Sequence, residues 1–170
     1  MEILVAIQTF MEAGGDVLWL IAAATFGMWC LIFERFVYVY GEQRRVAGMA
    51  LTKWTSRGER QSWNAKMIRL KVISEVNGRL NANMTLIKTF ISLLPLLGLL
   101  GTVTGMVQVF EAMTFSGGNA RSMAAGVSAA TIPTMSGMVA TLSGVFANTW
   151  LVAKIADESE YIEVSLTMEY

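Results

Sequence analysis

Three stretches of the chain run uncharged long enough to cross a membrane, and the polar positions between them follow a different rhythm. The first runs from Val17 to Phe33, meets Glu34 and Arg35, and resumes as Phe36-Val37-Tyr38-Val39-Tyr40. The second runs from Thr89 to Phe110, between Lys88 and Glu111. The third is uncharged from Ser122 to Ala153 and ends at Lys154. About 20 helical residues cover the roughly 30 Å of bilayer hydrocarbon. Each stretch therefore predicts a spanning helix, over about 17–39, 86–110 and 126–153. The third stretch holds 32 residues, roughly 48 Å as a helix. It is expected to start in the outer interface or to protrude beyond the membrane.

Between the first two spans the pattern becomes amphipathic. Met67, Leu70, Ile73, Val76, Leu80, Met84 and Ile87 recur at intervals of three or four, which places them on one stripe of a helix. No proline or glycine cluster separates this stripe from the second span. Within the cytoplasmic segment 41–85, the stripe is therefore expected to continue into the second span as one long helix, with Gly58 in Ser56-Arg57-Gly58-Glu59 as the turn before it. The stripe reads as a packing surface, against helical extensions of this subunit or of neighbouring ones. Residues 1–170 thus form one all-α membrane domain with long helical extensions.

Composition sharpens this reading. Hydrophobic residues make up 54% and charged residues 15%, and the mean hydropathy is +0.50. Soluble domains lie nearer 45–50% and about 25%. The net charge of zero gives no global field that would attract nucleic acid. Cys30 is the one cysteine and there is no histidine, so a disulfide framework, a thiolate metal cluster and the commonest proton shuttle are all excluded. With no paired carboxylates at a span and no phosphate-binding loop, neither an enzyme nor a cofactor is expected.

Lysine and arginine set the expected orientation. Eleven of the thirteen fall between Arg35 and Lys88, and none lies in residues 1–16. Positive loops stay cytoplasmic. This places the N-terminus outside, residues 41–85 inside, the 111–121 loop outside and the tail after Lys154 inside. The tail is acidic, but acids carry little weight in the rule. The first fifteen residues lack a basic stretch, so the first span is expected to act as an uncleaved anchor.

Two of the spans carry more than hydrophobicity. In the second, Gly98, Gly101 and Gly105 share one helix face, where small residues let a neighbouring backbone approach. Pro95 frees the carbonyl one turn earlier, so a kink or a local polar contact is expected. In the third, Ser128, Thr131, Thr134, Thr141 and Asn148 recur at intervals of three and seven, and Pro133 adds a second expected kink. Polar groups in membranes face a bundle interior or a wet cavity. Hydroxyls also bond their own helix, so plain packing remains open beside a lined pore. The conjunction of a Gly/Thr face with a Ser/Thr face favours the pore.

The run Leu93-Leu94-Pro95-Leu96-Leu97-Gly98-Leu99-Leu100-Gly101-Thr102-Val103-Thr104-Gly105-Met106 resembles the second transmembrane motif of the ExbB/TolQ/MotA proton-channel family, most nearly ExbB. Gly126 to Gly144, with Thr131-Ile132-Pro133-Thr134-Met135 at its core, is similar to the third helix of ExbB-type proteins, and Glu34-Arg35 closing the first span is common there. The resemblance implies a homo-oligomer, typically a pentamer, around a pore in the bacterial inner membrane. Inside sit ExbD-like single-span partners, each carrying a membrane aspartate. Protons passing that aspartate drive relative motion that, through a TonB-like protein, energises transport across the outer membrane. Thr102 and Thr134 match the family's pore-facing threonines, with Ser128, Thr131 and Thr141 as further pore-lining candidates.

One position departs from the family pattern. Many ExbB-type proteins carry a glutamate about five positions before the third-helix threonine, and here that position is Ala129. With no carboxylate in the core of any span, the titrating group is expected to come from the partner. A TolQ-like role in envelope maintenance and a non-conducting membrane scaffold remain as alternatives. A flagellar stator subunit would carry a fourth span and a large cytoplasmic domain.

Overall fold

In a computed structural model of the chain, residues 1–42, 48–49, 52, 63–116 and 120–165 are described. The expected turn at Gly58 lies outside them. The described residues form an all-α protein without strands. Helix α1 spans Glu2–Val37 and passes into a π-helical turn, Tyr38–Glu42. Helix α2 spans Trp63–Leu80, α3 Met84–Ser116 and α4 Ala120–Ser165. Three segments are long and apolar enough to cross a membrane: Gly14–Gly41, Trp63–Thr114 and Met123–Ser165. Their many exposed large apolar side chains, such as Leu96, Val103, Val139 and Phe146, suit helices whose outer faces meet lipid tails rather than water.

Two local features interrupt this regularity. Gly15 has φ 63° and ψ −167° inside α1, a conformation that only glycine adopts without strain. It divides a first helical stretch from the spanning one. Between α2 and α3, Asn83 takes φ 61°, a left-handed conformation that asparagine tolerates better than most residues. The long helix expected from the amphipathic stripe into the second span is therefore broken at residues 81–83. The reason is local chemistry. The side-chain amide of Asn81 donates to the carbonyl of Asn77 at 2.9 Å, and that of Asn83 donates to Glu34 at 3.0 Å. Asparagine side chains compete with the helical ladder in this way, and a search for proline and glycine does not see it.

The chain divides into two compact units. The first comprises Met1–Trp29 and Lys88–Val145. Its core includes Leu18, Ile21, Met28, Leu94 and Ala130. The second comprises Cys30–Ile87 and Phe146–Tyr170. Here the far half of the amphipathic stripe, Val76, Leu80, Met84 and Ile87, is buried together with Leu151, Ile155 and Ile162 of α4. Met67 and Leu70 at the other end of the stripe stay exposed. Arg35 is only 6% exposed. Its guanidinium donates to the Arg79 carbonyl at 2.9 Å and to Glu34 at 2.8 Å, which pairs a charge that would be costly to bury alone, while its buried Nε has no hydrogen-bond partner among the described residues. Trp150 stacks on Phe36 and Tyr40 at centroid distances of 5.3 and 5.9 Å.

Candidate functional site

The candidate residues lie in the first unit, where α3 and α4 meet through their small side chains. A Cβ at Gly98 would stand 3.0 Å from the Thr134 Cα, and one at Gly105 would stand 2.8 Å from the Ala130 Cβ. At Gly101 it would overlap the Pro133 ring, with Cγ at 2.8 Å. From the other side, a Cβ at Gly137 would stand 2.7 Å from the carbonyl oxygen of Leu94. The glycine face read from the sequence is therefore the seat of α4 on α3 within one chain. Close backbone approach substitutes here for the hydrophobic drive that helices lack in lipid.

Both prolines are accommodated without ending their helices, since α3 continues through Pro95 and α4 through Pro133. Each leaves a carbonyl without its helical N–H donor, that of Ile91 below Pro95 and that of Ala129 below Pro133. Pro133 is buried against Gly101, whereas Pro95 is half-buried.

The hydroxyls divide into two kinds. Most donate to their own helix: Thr131 to Ser128 at 2.7 Å, Thr141 to Gly137 at 2.8 Å, and Thr102 to Leu99 at 2.7 Å. Thr134 does otherwise, donating across the seam to the carbonyl of Gly98 at 2.8 Å. No hydrogen bond joins Thr102 to Thr134, and both protons are used within the chain. An incoming carboxylate would compete with the Gly98 carbonyl for the Thr134 proton. Ser128 and Thr131 are exposed, and Thr102, Thr134 and Thr141 are half-buried.

A cavity of about 490 Å³ opens between α1, α3 and α4 in the same unit. Gly101, Gly105 and Pro133 form part of its wall, but none of the five hydroxyl candidates does. Instead its polar lining comes from Glu12, Asp16, Thr104 and Gln108, with Ala129 among the apolar positions. These four were not singled out from the sequence. The signal available was the Gly14-Gly15-Asp16 run just ahead of the first span, where a glycine pair marks a bend and an acid follows it. Among the described residues, no group of three or more His, Cys, Asp or Glu is placed to hold a metal ion.

Comparison with known proteins bears on this arrangement. The model of the MotA/TolQ/ExbB proton channel family matches residues 40–164, which include the whole of the α3–α4 seam. A Synechocystis sp. protein named as a biopolymer transport protein, ExbB-like 1, is 36% identical over 80 residues. That alignment covers 45% of this chain and 32% of the relative, so the match spans about a third of the relative's length. No solved structure matches the chain.

Proposed function

The chain belongs to the MotA/TolQ/ExbB proton channel family, and from that premise we propose that it is the multi-pass subunit of a proton-driven motor in the bacterial inner membrane. In this reading it works with an ExbD-like single-span partner that carries a membrane aspartate. The pair energises TonB-dependent transport across the outer membrane. The observation that carries the reading is the family match over both polar spans, residues 40–164. Further support comes from the α3 and α4 span cores, which hold no carboxylate. A charged side chain inside a membrane is costly and tends to be functional, and a proton path through these two helices needs one from elsewhere. The lysine and arginine asymmetry favours an outside N-terminus and an inside C-terminus.

Thr102 and Thr134 are the residues proposed to meet the partner's carboxylate. Hydroxyl donors favour the ionised form of a carboxylate that burial would otherwise hold neutral. The decisive experiment measures energy-dependent uptake of an iron–siderophore by cells carrying the Thr102→Val, Thr134→Val double variant. Uptake is expected to be lost while the subunit and its partner still co-purify. Wild-type uptake by cells expressing the variant normally would remove the threonines from the mechanism. A scaffold reading has one specific observation in its favour, since most span hydroxyls bond their own helix. It predicts that normal result.

A further inference from the structure

Asp16 stands just past the Gly15 bend, within the segment Gly14–Gly41 that is long and apolar enough to span. Its neighbour Val17 fixes its depth. A Cβ on Gly101 would stand 3.2 Å from the Val17 Cγ1, and Gly101 lies near the middle of the uncharged run Thr89 to Phe110. Counted along the sequence, Asp16 belongs to the outer edge of the membrane. With Val17 packed against α3, Asp16 is held near the level of the middle of a spanning helix, its own side chain exposed at the cavity. An ionisable side chain at that depth has a high solvation cost and persists where it faces a wet or partnered space.

The cavity provides such a space. Asp16 lines it and makes no hydrogen bond or ion pair among the described residues, whereas Glu12 on the same wall accepts from the amide of Gln8 at 3.2 Å. Glu12 is the other ionisable group of the lining. Helix α3 presents Thr104 and Gln108 there, and among the described residues α4 presents no charge. Helix α4 adds a backbone acceptor instead. Pro133 has no N–H, so the carbonyl of Ala129 lacks its helical donor, and both residues line the cavity. An unpaired carboxylate and a backbone oxygen freed from its ladder suit a hydrated proton.

We infer that Asp16 is a proton-carrying residue contributed by this chain, taking protons from water in the α1–α3–α4 cavity and passing them to the partner's carboxylate. The step rests on the proton-channel reading above. The carboxylate accepts a proton from hydronium and leaves water. Thr102 and Thr134 do not line the cavity, so the proton then leaves Asp16 to water, which returns Asp16 to its ionised form, and reaches the partner carboxylate through water. Only O–H bonds form and break. In the proposed orientation the cavity, lined by Ala112 and Met113 near the C-terminal end of α3 and by Met123 near the N-terminal end of α4, takes its protons from the outside.

The test uses the native complex, purified with its partner and reconstituted into vesicles loaded with a pH-sensitive dye, with proton influx driven by a potassium diffusion potential. Asp16→Asn is expected to lower influx on the order of 100-fold, and Asp16→Glu to restore it. A purely structural carboxylate would not require that the replacement titrate. In wild-type membranes, dicyclohexylcarbodiimide, which modifies protonated carboxyls from the apolar phase, is expected to label Asp16. This second readout holds whether or not the variants assemble. Wild-type influx through Asp16→Asn, or no labelling of Asp16, overturns the inference and leaves the channel intact. Absence of influx through the wild-type complex overturns the channel reading and this inference with it.

Discussion

The hydroxyl of Thr134 donates to the carbonyl oxygen of Gly98 at 2.8 Å, linking α4 to α3 where their backbones approach closely. That contact is possible because Gly98 has no side chain to hold Thr134 away. Removing it leaves a buried acceptor with a weaker set of donors and should cost about 1 kcal/mol. Thr134→Val is therefore expected to lower the thermal midpoint of the purified protein in detergent slightly, and Thr134→Ser to preserve it. Equal midpoints for Val and wild type would mean that the bond contributes nothing to the seam.

The glycine seam predicts a graded series. Gly137→Ala sets a methyl against the backbone carbonyl of Leu94, and Gly101→Ala sets one against the Pro133 ring. Neither neighbour can rotate away, so each variant should lose about 1–3 kcal/mol. Gly144→Ala meets the thioether of Met28, a flexible chain that can adjust, and should lose less. Gly78→Ala in α2 meets nothing within 4 Å and should gain about 0.5–1 kcal/mol from helix propensity. Unfolding followed by circular dichroism in detergent gives the order. A Gly137→Ala protein as stable as Gly78→Ala would contradict the close approach of the backbones.

The break between α2 and α3 separates conformational from side-chain effects. Asn83→Gly keeps the left-handed backbone at φ 61° but removes the amide that donates to Glu34. Asn83→Ala removes the amide and adds about 1–2 kcal/mol of left-handed strain. The expected order of stability is Asn, then Gly, then Ala. An alanine variant that matched the glycine one would indicate that the break has closed into a continuous helix, which the helical content would report.

Orientation is open to a labelling experiment. In a Cys30→Ala background, a membrane-impermeant maleimide added outside should label a cysteine placed at Ser116. It should not label one placed at Lys66 until the membrane is opened. The opposite pattern would invert the proposed topology and move the mouth of the Asp16 cavity to the cytoplasmic side.

The sequence by itself determined the three spans, the amphipathic stripe ahead of the second and the glycine face on it. All of these are properties of one helix at a time. Hydropathy sums along a segment, and periodicity fixes which residues share a face, so neither needs a neighbour. What those faces touch was decided only by tertiary structure. The sequence left the Gly98, Gly101 and Gly105 face free to pack within or between subunits, and folding seats it on Pro133, Thr134 and Ala130 of the same chain. Asn83 carries no signal in a search for glycine and proline, yet its bond to Glu34, 49 positions away, helps hold the break. Asp16 reads as an outer-edge acid along the chain. It comes to stand beside mid-span because the bend at Gly15 and the bare surface of Gly101 let α1 pack there. Depth in a membrane is set by which helix lies alongside, and that depends on residues distant in sequence meeting in space.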